Sequence, residues 1–254
     1  MKRLSILGGT GDAVKLASLA IDLPELEVIT SLAGRTSAPQ NLVGDVRIGG
    51  FGGEAGLVRY LQTEQIDLLI DATHPFAAQI SRNAAGAATK VGIPRLMLVR
   101  PEWARLPEDN WIEVGSIEAA VTAIPASAER IFVTIGRQQL APFVMLKDKW
   151  CLMRSIDPPD PSILLPPGKL LLDRGPFSLE SERELLREYQ IKAIVSKNSG
   201  GDATYAKIIA ARELGLPVIM LQRPILQGRG FANVPDGEVV ADVAGAMEWL
   251  IDRL

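Results

Sequence analysis

The apolar residues of this chain fall into short runs that alternate between two spacings. Lys2–Leu7, Glu27–Leu32, Val46–Ile48, Ile66–Ile70 and Pro94–Val99 are compact runs closed by glycine, proline or polar turns, as strands are. Between them Ala13–Ile21, Glu54–Glu64 and Phe76–Val91 predict helices; in the first, Val14, Leu16, Ala17, Leu19 and Ala20 recur at helical spacing. The pattern loosens around residues 100–115 and then resumes. Helices are predicted at Ser116–Ile124, Leu140–Leu146, Leu179–Tyr189 and Thr204–Leu214, and strands at Ile131–Ile135, Trp150–Ile156, Lys169–Leu172, Ile191–Val195 and Val218–Leu221. Five prolines between Pro158 and Pro167 mark a loop. Such alternation predicts an α/β fold with mostly parallel sheets and helices on both faces.

Two stretches read as copies of one unit. Ile66–Ile70, a polar loop Asp71-Ala-Thr-His-Pro-Phe-Ala77, a helix, Gly92-Ile-Pro94 and a strand ending Arg100-Pro101 are matched by Ile191–Val195, Ser196-Lys-Asn-Ser-Gly-Gly201, a helix, Gly215-Leu-Pro217 and a strand ending Arg223-Pro224. The expected organisation is therefore two domains, residues 1–105 and 106–236, followed by a C-terminal helix in 237–254 able to pack on either. In open α/β sheets ligands bind outside the carboxyl ends of the strands. Two such crevices predict an active site in the cleft between the domains.

Composition narrows the chemistry. With 47% hydrophobic and 22% charged residues the chain is globular rather than disordered. No apolar run approaches the ~20 residues of a membrane span, and the basic-then-apolar start runs straight into a glycine turn, so it reads as a first strand rather than a signal peptide. A cytoplasmic protein is expected. One cysteine, Cys151, excludes an intrachain disulfide or CxxC site, and one histidine, His74, excludes paired-histidine metal motifs, so no metal site is expected. A net charge of −3 argues against a nucleic-acid partner.

The candidate chemistry lies at the predicted strand ends. Gly8, Gly9, Thr10, Gly11 and Asp12 sit between the first strand and first helix, where free N–H groups and the positive helix end favour a phosphate. Their spacing is not GxGxxG, and an ordinary glycine-rich turn fits as well. Thr30–Ser37 contains no acid to read a ribose 2′-hydroxyl but offers Ser31, Arg35, Thr36 and Ser37, a set suited to a 2′-phosphate; NADPH is favoured over NADH. Gly52 belongs to Gly49-Gly-Phe-Gly-Gly53, which fits either a wall for a flat ligand or a hinge. Asp71, Thr73 and His74 end the fourth strand, where the nicotinamide would lie. The second half offers Arg137, Gln138, Arg154, Arg174, Gly175, Lys197, Asn198 and Ser199, cations suited to a ligand with several carboxylates. Arg100 and Arg223 fit either a rim or a simple strand terminus.

At these residues the chain resembles the precorrin-6A reductase family of cobalamin biosynthesis, including its cobalt-precorrin-6A relatives. The motifs are Leu7-Gly-Gly-Thr10, Thr30-Ser-Leu-Ala-Gly-Arg35, Gly49–Gly53, Asp71–Ala77, Thr134-Ile-Gly-Arg-Gln138, Arg174-Gly-Pro-Phe177 and Val195–Gly201, in order over nearly the whole chain. The resemblance implies two Rossmann-like domains. It also implies NADPH-dependent hydride transfer to C19 of a polycarboxylated tetrapyrrole, giving precorrin-6B, with possible transient contacts to other corrin-pathway enzymes. Within it, His74 and Lys197 are expected to orient or protonate. One departure is Gly11-Asp12, where the family usually carries a glutamate. Two other readings stay open: a small-dicarboxylate reductase resembling dihydrodipicolinate reductase, and a non-catalytic NADP(H)-sensing domain. Arg35→Ala should raise KM for NADPH roughly ten- to a hundredfold, the loss expected for one charged hydrogen bond, and far more than for NADH. Equal effects on both cofactors, in steady-state assays, refute the 2′-phosphate assignment.

Overall fold

The computed structural model describes residues 1–34, 43–224 and 237–254. The chain divides into two compact units, residues 1–101 with 224–254, and residues 102–223. The first unit's sheet contains β1 (Lys2–Leu7), β2 (Leu26–Leu32), β3 (Asp45–Ile48), β4 (Leu68–Asp71), β5 (Arg95–Leu98) and β12 (Gly237–Val240), in the order β12-β5-β4-β1-β2-β3. The second contains β6 (Trp111–Val114), β7 (Arg130–Val133), β8 (Trp150–Ser155), β9 (Gly168–Leu172), β10 (Ala193–Lys197) and β11 (Val218–Leu221), in the order β6-β11-β10-β7-β8-β9. Every pairing is parallel. Position by position the two orders are the same, which gives the internal repeat a structural basis.

The helices cover the sheets as sequence spacing requires. In the first unit α1 (Gly11–Ala20) and α7 (Val243–Ile251) bury Leu16, Ala17, Ala246, Trp249 and Leu250 against Leu4, Ile6, Ile70 and Leu96. On the other face α2 (Glu54–Thr63) and α3 (Ala78–Val91) bury Leu57, Leu61, Ala84 and Ala87 against Leu7, Ile29 and Leu69. The second unit is completed by α4 (Ile117–Thr122), α5 (Leu179–Glu188) and α6 (Ala206–Glu213), the last two closing over Phe132, Leu152 and Ile194. Burial on both faces is why these strands read as near-continuous apolar runs rather than alternating ones.

Three expectations are corrected. The unit boundary falls at 101/102 instead of 105/106, and residues 224–254 belong to the first unit. Residues 100–115, read as irregular, contain β6. The tail, read as helix alone, opens with β12. Both missed strands are four-residue edge strands, with Trp111 the buried residue of the first and Val239 57% exposed in the second; edge strands carry too little apolar periodicity to stand out. β12 pairs with β5 and α7 packs under it, so the tail is part of the first core. Leu250, fully buried there, gives the check: Leu250→Ala should lower the unfolding free energy by about 2–5 kcal/mol. Urea denaturation of the two proteins measures it, and an unchanged midpoint contradicts this placement of the tail.

Candidate active site

In the first sheet the chain order reverses between β1 and β4, and the turns after them are joined. Thr10 Oγ1 donates to the Ala72 carbonyl at 2.8 Å and accepts the Ala13 N–H at 3.1 Å, capping α1. Gly9 lies at φ +113°, where a side chain would be strained, and a Cβ there or at Gly11 would meet nothing within 4 Å. The turn therefore lines open space at a helix N-terminus, a geometry that receives phosphate. Asp12 would oppose an anion, but Arg100 pairs with its carboxylate at 2.9 Å.

Register sets Arg47, Ser31, Leu7 and Asp71 in one row across the sheet. Arg47 donates to Ser31 Oγ at 3.3 Å, to the Gly49 carbonyl at 2.6 Å and to the Gly50 carbonyl at 3.0 Å, with its guanidinium 4.0 Å from the centre of the Phe51 ring. A Cβ at Gly56 would fall 1.6 Å from the Phe51 carbonyl oxygen, so only glycine lets this loop close on α2. The loop containing Gly52 is thus held on several sides, the geometry of a wall rather than a hinge, and it belongs to the first unit. Arg35, Thr36 and Ser37 lie outside the described residues.

Asp71 is 1% exposed, and its Oδ1 accepts the Thr73 N–H at 3.1 Å and hydroxyl at 2.6 Å. Its Oδ1 is turned into the loop, so Asp71 shapes it, and Thr73 donates both its N–H and its hydroxyl to that oxygen. Buried Arg95 on β5 answers this charge: burial lowers its pKa, and Asp71 opposes the shift. Beyond Thr73, His74 Nδ1 accepts the Phe76 N–H at 3.2 Å, which selects the tautomer with its hydrogen on Nε2 when the ring is neutral.

In the second sheet the order reverses between β7 and β10, and Thr134 joins them, its N–H and its hydroxyl both donating to the Val195 carbonyl at 2.9 and 3.0 Å. Arg137 and Gln138 occupy a single 3₁₀ turn after β7, Arg174 and Gly175 follow β9, Lys197 ends β10, and Asn198 and Ser199 follow it. Parallel pairing puts all of them on one edge. Arg137 donates to the Pro158 carbonyl at 2.6 Å, which ties its turn to the proline-rich loop. Lys197 is largely buried, and that burial pushes its ammonium down to about 8.

A model of the family described as "Precorrin-6x reductase CbiJ/CobK" matches residues 3–251. The chain belongs to the precorrin-6x reductase family. It is 49% identical to a protein named precorrin-6A reductase from Rhodococcus erythropolis, over 98% of each chain. A solved structure titled "CobK precorrin-6A reductase" superposes with a TM-score of 0.90 at 42% identity, covering 99% of this chain and 97% of the other. A cobalt-precorrin-6A reductase from Methanothermobacter thermautotrophicus is 29% identical, over 91% of this chain and 80% of that protein. Membership makes the chain an oxidoreductase of tetrapyrrole, cobalamin-forming biosynthesis and calls for a nicotinamide cofactor. It sets aside the small-dicarboxylate and sensor readings. Among the described residues no helix is long and apolar enough to cross a membrane.

Two second-unit residues expected on this reductase's rim serve its frame. The Asn198 amide, 7% exposed, accepts the Trp103 N–H at 2.8 Å and donates to the Trp103 carbonyl at 3.2 Å. Arg154 points inward and pairs with Glu182 at 2.6 Å. A strand-end position seen in sequence cannot tell which face a side chain takes. Arg47, Arg95, Trp103 and Arg223 were missed or undervalued. Arg223 donates to the Asn198 and Ser199 carbonyls at 3.0 and 3.1 Å, and Trp103 Nε1 to Gly201 at 2.7 Å, so the loop after Lys197 is pinned. For Arg47 the available signal was an arginine two residues before a glycine run around an aromatic.

Lys197 gives a pH signature. Its folded pKa of about 8 lies below the ordinary lysine value of 10.5. Between the two the unfolded chain holds the extra proton, so rising pH favours folding; the penalty is complete below about 8 and relieved toward 10.5. The wild type should gain more stability than Lys197→Met between about pH 7 and pH 9.5. Urea midpoints at both values measure this, and equal gains contradict the burial of the ammonium.

Proposed function

We propose that this chain reduces one double bond of precorrin-6A to give precorrin-6B, with NADPH bound by the first unit and the macrocycle by the second. The observation that carries the reading is the division of chemistry between two similar sheets within a reductase family. The switch point of the first sheet offers glycines and a helix N-terminus; the carboxyl edge of the second sheet offers Arg137, Arg174 and Lys197. Several carboxylates around a macrocycle call for such dispersed cations, and the two arginines can each accept one through a planar fork.

The residues fit NADPH. The turn, open at Gly9 and Gly11, receives the pyrophosphate, and Arg100 removes the objection that Asp12 would raise. At the end of β2, Ser31 stands beside Arg47 without a carboxylate in the row up to Leu7, which favours a 2′-phosphate over a free hydroxyl. NADPH supplies the hydride; the protein's part is orientation and the balancing proton. Lys197 holds that proton on Nζ: at about 8 its pKa keeps it largely protonated at neutral pH, yet it is a readier donor than an exposed lysine. His74 presents its Nε2–H from the first unit's edge as an orienting donor.

The greater identity to the precorrin-6A protein than to the cobalt-precorrin-6A one, 49% against 29%, favours the metal-free substrate. The test is absorbance at 340 nm with purified protein, NADPH and precorrin-6A, with the cobalt macrocycle in parallel. Oxidation of NADPH with the metal-free macrocycle is expected. Oxidation with the cobalt form alone reverses the substrate assignment, and NADPH binding without turnover of either overturns the reading.

A further inference from the structure

A cluster of charge is buried inside the second unit, behind the rim. Arg154, Glu182 and Lys207 are 8%, 1% and 4% exposed. Arg154 Nη1 meets Glu182 Oε1 at 2.6 Å, while Arg154 Nε and Glu182 Oε2 have no hydrogen-bond partner among the described residues. Burial lowers the Lys207 pKa, Glu182 opposes the shift and Arg154 adds to it. Two cations and one carboxylate in an apolar core are a poor means of gaining stability, since apolar residues of the same volume often do as well or better. What such groups supply is direction.

The direction here is toward two loops. The Arg154 guanidinium lies 3.9 Å from the centre of the Phe177 ring and 4.7 Å from that of Phe132. Phe177 ends the Arg174-Gly-Pro-Phe motif, and its N–H donates to the Ala203 carbonyl at 3.1 Å. Lys207 Nζ donates to the neighbouring Thr204 carbonyl at 2.7 Å and faces the Trp103 ring at 5.0 Å, and the Trp103 indole holds Gly201. A continuous path thus runs from Arg154 through Phe177, Ala203 and Thr204 to Lys207. It clamps the loop carrying Arg174 to the loop that follows Lys197.

We propose that Arg154, Glu182 and Lys207 are positioning residues for macrocycle binding, holding the Arg174–Phe177 and Lys197–Thr204 loops in one arrangement through the Phe177 ring and the Thr204 carbonyl. This rests on the reading of the second unit's rim as the macrocycle site. The decisive contact is a cation over an aromatic face, which depends on the ring and not on apolar bulk.

The experiment measures KM for precorrin-6A and for NADPH with the whole enzyme carrying Phe177→Leu, Phe177→Tyr, Arg154→Met or Arg174→Ala. KM is independent of the folded fraction, so lost stability alone does not move it. Phe177→Leu should raise the macrocycle KM about tenfold, in the range expected of a desolvated cation–ring contact and displaced loops, and leave the NADPH KM unchanged. Phe177→Tyr, which keeps the ring face, should stay near wild type, and Arg154→Met should act like Phe177→Leu. If Arg154→Met does not fold, the Phe177 pair decides. Equal macrocycle KM values for the leucine and tyrosine variants, or a parallel rise in the NADPH KM, overturn the proposal. An unchanged macrocycle KM in Arg174→Ala overturns the reading of the rim itself.

Discussion

Parallel pairing is the constraint on which everything else depends. A parallel ladder needs a crossover between successive strands, and the crossovers here bring every strand's carboxyl end to the same edge of its sheet. Residues far apart in sequence are gathered without any specific attraction: Gly9, Ser31, Arg47 and His74 on one edge, Arg137, Arg174 and Lys197 on the other. Where the order reverses, two neighbouring strands send their chains to opposite sides and leave a gap beside the sheet end. Each gap is bridged by a threonine that follows the first strand, Thr10 to Ala72 and Thr134 to Val195. The threonines fix how far the two turns stand apart, and that spacing defines both candidate binding edges.

Charge at the edges is balanced from strand ends farther along the sheet. Arg100 after β5 neutralises Asp12 in the first turn, Arg95 on β5 sits behind Asp71, and Arg223 after β11 pins the carbonyls of the loop that follows Lys197. Groups that look catalytic by position are thereby divided into those facing a ligand and those holding the loop. Lys197 remains distinctive because burial lowers its pKa to about 8.

Much of this was legible in the sequence, because long apolar runs and glycine turns are what a buried parallel sheet requires of its residues. Ten strands and the seven α-helices of the described residues were placed by pattern, the helix read at Leu140–Leu146 is a 3₁₀ turn, and the repeat around Asp71 and Ser196 correctly announced two similar sheets. What periodicity cannot encode is pairing at an edge or the direction of one side chain. Trp111–Val114 and Gly237–Val240 are strands because β11 and β5 offer them a free ladder, not because their own residues demand it. Arg154 and Asn198 both lie at or just beyond strand ends, as Lys197 does. Their inward roles depend on Glu182 and Trp103, distant in sequence, meeting them in the fold.

Those two edge strands also expose how the units are built. β6 follows β5 in the chain yet pairs with β11, while β12 follows β11 yet pairs with β5. Each repeat therefore surrenders its sixth strand and the helix after it to the other sheet. Residues 1–101 alone lack Val243, Ala246, Trp249 and Leu250, which sit among Leu4, Leu16 and Ile70 in the first core. Completion of that core waits for pairing between β5 and residues beyond 236, a contact of high sequence separation that slows folding. The first core is consequently finished only by residues 237–254. At both crossings the chain passes through Arg-Pro, and both arginines turn back to secure the ligand edge of the unit they leave: Arg100 through Asp12, Arg223 through the carbonyls of Asn198 and Ser199. The strand exchange thus places at each crossing an arginine that ties down a loop of one candidate binding edge.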